Sequence, residues 1–419
     1  MAYTRSNTVR RRRVFYIPGY DPIHPRRYRE LYRKEGAAQA EISGYEIALK
    51  PRNAQRYGWS VNALIDAHPV EAKVDVLVWS DIVRGSMNTS IPATYLQLVQ
   101  TAWTYIASGA LRRLMWLRKG PVIAALYPVG MLLVQLLLAV GGGLAAGAVA
   151  RFGIAWLAGL IAGPQLSGLL GSLAYFAVSL PLMVLILRWF KSKDGKLYAY
   201  YLMHDYAYSA RYKGANPPEL EARMAQFTDI IANSLNDDVD EVLVVGHSSG
   251  AHLAVSILAD LIRSGRVPAN GPALGFLSLG QVVPMVSFLP KANRLRADLH
   301  FLSQREELTW VDVTAPGDGC AFALCDPVAV SGVAPDNQRG PLILSAAFTQ
   351  TLSPERWQKL RWQFFRLHFQ YLCAFDRPGD YDYFQITAGP VTLADRFADR
   401  KPSQSRIDVP ASRYTSMAA

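Results

Sequence analysis

The stretch Gly246-His247-Ser248-Ser249-Gly250 has the residue types and spacing for covalent chemistry on a carbonyl group. A serine hydroxyl attacks carbon only when it is held clear of its own chain and a base takes its proton. Glycine two residues to either side relieves the crowding of a sharp turn, because glycine carries no Cβ. Glu241 to Val245 ahead of the turn reads as a short apolar strand, and Ala251 to Asp260 behind it as an amphipathic helix. Set between strand and helix, G-x-S-x-G lifts Ser248 Oγ away from the sheet. It also aims the first helical amides at the oxygen where negative charge develops. An ordinary strand-to-helix turn built from small residues would use the same letters, and Ser249 reads as the spacer.

Other elements must bring a base and an acid to that serine. Arg13 to Tyr20 reads as a buried strand ending in Pro18-Gly19-Tyr20-Asp21-Pro22. Pro25 to Gly36 reads as a solvated helix, Gly44–Lys50 and Lys73–Ser80 as further strands, and Asn62–Ala67 as a helical segment between them. Pro218–Leu235 is an amphipathic helix leading to the serine strand. Ala273–Leu279 and Leu308–Thr314 are the next strands, the second followed by the loop Ala315-Pro-Gly-Asp-Gly-Cys320. Pro354–Phe375 reads as one long helical stretch rich in aromatics and arginine. The tail from Arg400 is polar, carries Pro and Ser, and is expected to be disordered. No internal repeat is visible.

The middle of the chain has a different solvent. Pro121 to Ala150 carries no charge, Arg151 interrupts, and Phe152 to Leu187 again carries none. A bilayer is crossed by roughly 20 apolar residues in a helix, so two spans are expected near Gly120–Leu144 and Leu166–Arg188. The part around Arg151 and Trp156 is expected to be interfacial or re-entrant, with room for a third span. Gly143 with Gly147, and Gly159 with Gly163, have the small-xxx-small spacing that lets helices pack closely. Arg112, Arg113, Arg118 and Lys119 precede the block, and Arg188, Lys191, Lys193 and Lys196 follow it. Both flanks are therefore expected on the cytoplasmic side of an inner or plasma membrane.

Composition agrees. Of 419 residues 51% are hydrophobic, high for a soluble enzyme, and the net charge of +11 gathers near the N-terminus and around the apolar block. That distribution points to a membrane surface rather than to nucleic acid, for which no recognition spacing is present. The N-terminal thirteen residues lack the apolar run of a secretory signal. Three cysteines give no paired framework and suit a reducing compartment. No set of cysteines and histidines has structural-zinc spacing.

The strand–turn–helix around Ser248, the early Pro-Gly loop and the strand-then-Asp loop resemble the α/β-hydrolase superfamily. The resemblance covers nearly all of the chain outside the apolar block and the tail. It implies a mostly parallel sheet with helices on both faces, here interrupted by a transmembrane helical hairpin. Residues 1–119 would be the first part of that domain, 120–190 the insertion, 191–399 the second part and 400–419 the tail. The family order of nucleophile, then acid, then histidine selects among the seven histidines. Only His300 and His368 lie well downstream of Ser248, and His300 precedes the late strand, which leaves His368 as the base. Its setting departs from the family, whose base sits on a loop past the last strand; a histidine packed among Phe364, Phe365 and Tyr371 is the alternative. Asp318 ranks first as the acid, Asp312 second and Asp326 third, with a strand-end cap or an Asx turn as the structural alternatives. The backbone N–H groups of Tyr20 and Ser249 would bind the oxyanion, though Tyr20 could equally close a plain Pro/Gly turn. His247 and His252 read as packing or supporting residues.

The expectation is a membrane-anchored serine hydrolase that cleaves an ester or thioester through an acyl-enzyme on Ser248. It needs no metal and no organic cofactor. A lipid-like acyl substrate is favoured, since the hairpin would keep the site close to the bilayer. The alternatives are a non-catalytic membrane scaffold or lipid-binding protein on the same fold, and an acyltransferase using the same three residues. Acyl chain length, pathway and oligomeric state leave no mark in the sequence.

Overall fold

A computed structural model describes residues 8–52, 56–87 and 89–418. The polar opening segment 1–7 lies outside the described residues. The chain divides into two compact units, one formed by residues up to 85, 104–122 and 212 onward, the other by 86–103 and 123–211.

The first unit is α/β, built on one eight-stranded sheet. Its strands are β1 (Arg11–Ile17), β2 (Glu46–Pro51), β3 (Gly58–Ile65), β4 (His68–Val76), β5 (Glu241–His247), β6 (Ala273–Leu279), β7 (Thr309–Thr314) and β8 (Leu342–Ser345). They lie in the order β2-β3-β4-β1-β5-β6-β7-β8. From β4 to β8 neighbouring strands are parallel, and β3 is antiparallel to both of its neighbours. The sheet is therefore mixed, with a parallel centre. Val14, Tyr16, Leu243, Val245, Leu277, Leu279, Val311 and Val313 build the main core on one face. The alternate residues Phe15, Val244, Phe276 and Trp310 are buried as well, so the central strands are covered on both faces.

Two local readings change. Asn62–Ala67, expected to be helical, is the end of β3 and its turn into β4. Trp59, Val61, Ala63 and Ile65 are buried at every second position, the period of a strand. Asp66 and Ala67 close the hairpin with φ of 51° and 60°, a turn hidden from the sequence because alanine rarely takes it. Pro354–Phe375 is not one helix: it breaks into Pro354–Leu360, Phe364–His368 and a short 3₁₀ turn, Gln370–Leu372.

The second unit is helical. We name α1 (Ile91–Ala107), whose first part belongs to it, α2 (Lys119–Gly159), α3 (Pro164–Ser192) and α4 (Ala199–Arg211). Helices α2 and α3, of 41 and 29 residues, are both long and apolar enough to cross a membrane, each with mean hydropathy 2.2 over its best window. α2 runs without interruption through Arg151 and Trp156 to Gly159, and only residues 160–163 separate it from α3. The expected interfacial segment is thus the end of the first long helix, and among the described residues there is no third span.

The two helices pack antiparallel through glycines. A Cβ on Gly143 would lie 2.9 Å from the Ser179 carbonyl, one on Gly147 2.9 Å from that of Tyr175, and one on Gly171 3.0 Å from that of Arg151. Gly159 and Gly163 meet nothing comparable. Around Leu132 of α2, the residues Leu98, Ala199, Tyr200, Met203 and Ala207 form a small core. This core draws 86–103 and 191–211 into the helical unit, away from the expected boundaries at 119 and 191.

The expected disordered tail is docked instead. Ile407 N–H donates to the Leu324 carbonyl at 2.7 Å, Asp326 N–H to that of Ile407 at 2.8 Å, and Ala411 N–H to that of Val330 at 3.0 Å. Arg296 Nε donates to the Ser416 carbonyl at 2.8 Å, and Ala411 is buried. Backbone hydrogen bonds of this kind do not depend on apolar composition, so a polar Pro/Ser segment gave no warning. Deleting residues 406–419 removes several such bonds, each contributing about 1 kcal/mol. The melting temperature of the full-length protein in detergent should fall by several degrees, read by fluorescence; an unchanged value would mean that the tail adds no stability.

Candidate active site

Strand β5 ends at His247 and helix α5 (Ser249–Arg263) begins two residues later. Ser248 alone makes the turn, with φ 57° and ψ −123°, a region that costs a residue bearing Cβ about 1–3 kcal/mol. The flanking glycines are what the turn requires. A Cβ on Gly246 would stand 2.8 Å from the Ala251 Cα and from the Gly250 carbonyl oxygen. One on Gly250 would stand 2.1 Å from the Ile17 carbonyl oxygen and 2.7 Å from that of Pro18. Ser248 N–H donates to the Leu279 carbonyl at 2.9 Å, tying the turn to the end of β6.

The loop after β1 lies directly against this turn. A Cβ on Gly19 would meet Ser248 Cβ at 3.0 Å and Oγ at 3.4 Å. Trp79 Nε1 donates to the Pro18 carbonyl at 2.9 Å, and the Tyr20 ring stands edge-on to Trp79 at 6.1 Å. Tyr20, one expected oxyanion donor, directly follows Gly19, which packs on Ser248; Ser249, the other, directly follows Ser248. Ser249 opens a 15-residue helix whose first amides carry the positive end of the helix dipole.

His368 closes its one-turn helix, and its Nδ1 hydrogen-bonds Asp318 Oδ2 at 2.7 Å. The same oxygen accepts from Tyr371 Oη at 2.9 Å, and Asp318 Oδ1 accepts from the Cys320 amide at 2.9 Å. Burial alone would favour the protonated carboxyl, but His368, Cys320 and Tyr371 together hold Asp318 below the ordinary carboxylate range. An ionised Asp318 accepts a hydrogen bond from Nδ1–H, which leaves Nε2 as the nitrogen with a free lone pair. Both glycines that flank Asp318 receive aromatic rings from the histidine segment. A Cβ on Gly317 would meet Trp357 at 2.7 Å, and one on Gly319 would meet Phe364 at 3.2 Å. The loop carrying Asp318 and the segment carrying His368 are thereby locked together.

Gly280, directly after β6, joins this pair to the serine. A Cβ there would meet Tyr371 at 2.7 Å and His368 Cε1 at 3.1 Å, while the preceding residue, Leu279, accepts the Ser248 amide. Ser248, Gly280, Asp318 and the Gly19 loop all follow the C-terminal ends of parallel strands, where open α/β sheets place their ligand crevice. Asp318, Cys320 and His368 also offer ligand-type atoms within 4.8 Å of one another. The Asp318 oxygens there already accept three hydrogen bonds.

The remaining candidates lie in other roles. Asp326 caps a short helix by accepting from the Val328 and Ala329 amides. Asp312 is buried and accepts from Ser278 Oγ at 2.5 Å. His300 bonds the Val333 carbonyl, and burial pushes His252 down to about 4. Two supporting residues carry no signal beyond their place in the sequence. Tyr371, one turn past His368, donates its hydroxyl to Asp318. His247 Nε2 lies 3.0 Å from the His368 carbonyl oxygen and its Nδ1 lies 3.3 Å from Tyr16 Oη. Burial, with the neighbouring His368, pushes His247 down to about 3, so it stays neutral and donates its Nε2 proton to that carbonyl.

No family model, curated protein or solved structure matches this chain.

Two predictions follow from the geometry. Burial pushes the Asp312 carboxyl up to about 8, so it is protonated at neutral pH. A carboxyl raised in this way loses folding stability as pH climbs from its unfolded value near ~4 toward the folded value, and no more beyond it. Asp312→Asn should therefore gain stability relative to wild type between about pH 4 and 8 and level off above, in denaturant titrations across pH. A constant difference across that range would contradict the raised value. His247→Phe keeps a ring but loses the bond to the His368 carbonyl. Turnover of an activated ester should fall about tenfold in kcat with little change in KM, partly restored in His247→Gln; equal rates in all three would remove His247 from the positioning of His368.

Proposed function

We propose that this chain is a membrane-anchored serine hydrolase of the α/β-hydrolase kind, cleaving a carboxylic ester or thioester. The single observation that carries the reading is the conformation of Ser248, a strained residue with a glycine two positions to either side where a Cβ would clash. Strain of this kind persists only where surrounding structure holds it, and it gathers at reacting groups. The buried His368–Asp318 pair packs at Gly280, next to Leu279, whose carbonyl accepts the Ser248 amide.

In the proposed mechanism His368 Nε2 takes the Ser248 proton as Oγ attacks the substrate carbonyl carbon. Asp318 holds the imidazole and offsets its positive charge. The oxyanion forms between the amides of Tyr20 and Ser249. Collapse expels the alcohol or thiol, which takes the proton from His368 and leaves an acyl group on Ser248. Water, activated by His368 in its turn, releases the acid and restores the hydroxyl. The serine proton thus leaves with the alcohol or thiol and one from water replaces it, and no step calls for a metal or an organic cofactor.

The long apolar helices supply the second half of the reading. They lie in the chain between β4 and β5, so a membrane-inserted hairpin tethers the catalytic unit covalently. The cationic flanks Arg112–Lys119 and Arg188–Lys196 favour a cytoplasmic catalytic unit. A tethered enzyme meets acyl lipids at high local concentration, which favours a lipid-like ester.

A fluorophosphonate probe should label the full-length protein in detergent or vesicles, and Ser248→Ala should abolish the label. Asp318→Asn should retain the fold and lose on the order of 10⁴-fold in kcat on an ester substrate, while Asp312→Asn keeps its activity. Equal labelling of wild type and Ser248→Ala would overturn the assignment and favour a non-catalytic membrane protein.

A further inference from the structure

Helix α1 leaves a row of large apolar side chains uncovered. Leu96, Val99 and Trp103 are 58%, 61% and 72% exposed, three and four residues apart on one helical face. The opposite face is engaged within the same helical unit. Leu98 packs there with Leu132, Tyr200 and Met203, and at the flank of the row Tyr95 Oη donates to the Leu132 carbonyl at 2.9 Å. From Ile91 to Ala107 the helix carries no ionisable acid or base apart from its tyrosines, so nothing on that face replaces the missing cover with charge.

The antiparallel register of α2 and α3 sets the level of this row. Gly142 meets Ile186, Gly143 meets Ser179 and Met183, and Gly147 meets Tyr175. Carried back along α2 to Leu132, the same register arrives opposite the stretch Arg188–Lys196. That stretch holds Arg188, Trp189, Phe190, Lys191, Lys193 and Lys196, the mixture of cations and aromatic rings that settles at a headgroup layer. Lys191 Nζ donates to the Thr89 carbonyl at 2.7 Å, two residues before α1 begins, and fixes the helix start at the same level.

We propose that α1 is an interfacial membrane helix, with Leu96, Val99 and Trp103 seated at the boundary between headgroups and acyl chains. The inference rests on the reading of α2 and α3 as membrane spans. A bilayer suits this row better than a protein partner does. One short uncharged row offers far less than the roughly 20–30 residues a side of a stable protein interface. An apolar helical face beside cationic and aromatic residues is the pattern that inserts shallowly into lipid. α1 would thus add a lateral foothold to the hairpin, limiting rotation of the helical unit about its spans.

The test places an environment-sensitive fluorescent amino acid at one position at a time in the full-length protein. The vesicles are phosphatidylcholine with phosphatidylglycerol, brominated either near the headgroup or near the bilayer centre. Positions 99 and 103 report on α1. Leu180, 56% exposed on α3, reports on the span, and Asp238, a loop carboxylate with its side chain 84% exposed, on the aqueous phase. The expected result is loss of emission at 99 and 103 with headgroup-proximal bromine, at 180 with central bromine, and at 238 only with aqueous iodide. Quenching of 99 and 103 by iodide alone, or by neither agent, with 180 still quenched by lipid, would overturn the inference and leave the spans intact. Absence of lipid quenching at 180 would remove the spans themselves.

Discussion

The backbone of one residue constrains the whole candidate site. Ser248 holds φ 57° and ψ −123° because its neighbours leave it no other course. β5 delivers it, α5 takes the chain away at once, and the amide of Ser248 is claimed by Leu279. The carbonyls of Ile17 and Pro18 press so closely on Gly250 that a methyl group there would sit inside them. The close approach that forbids a Cβ also brings the Gly19–Tyr20 loop against the serine. The strain and the neighbouring Gly19–Tyr20 loop are therefore one arrangement, stabilised by the packing of β1 beside β5.

Around that turn the electrostatics sort the buried groups by partner. Asp312 lies within β7 and Asp318 in the loop that follows it; both are buried, yet their carboxyls are driven in opposite directions. Asp318 accepts from an imidazole, a phenol and an amide, enough to outweigh desolvation. Asp312 has the Ser278 hydroxyl, which is not enough. A carboxylate that must stay ionised to hold an imidazole needs the first environment. The second yields a neutral hydrogen-bonding group within the sheet. His247 is neutral and bonded to backbone, and the His368 ring faces a carboxylate.

The elements written in local pattern were legible in the sequence: the serine turn, the parallel central strands, the glycine-flanked Asp318 and the two long apolar runs. What escaped depended on distant partners. Asp66-Ala67 turns a hairpin without the usual asparagine or glycine, so the end of β3, from Asn62, read as helix. The tail is polar, and its order comes from main-chain bonds to Leu324, Asp326 and Val330. The break that ends the helix at Leu360 has no proline or glycine to announce it. It comes as Trp357 and Phe364 seat on Gly317 and Gly319, and this is why His368 sits at the end of a single turn rather than on a long helix. The two glycines that flank Asp318 in the loop Ala315–Cys320 make room for those two rings.

Rapid acid quench after mixing the full-length protein with a panel of activated acyl esters of increasing chain length, followed by peptide mapping by mass spectrometry, tests the central claim most directly. The account predicts a single acylated residue, Ser248, formed in the first turnover with at least one member of the panel. Acylation at another residue while Ser248 stays unmodified, or ester turnover with no acylated residue at all, would contradict it.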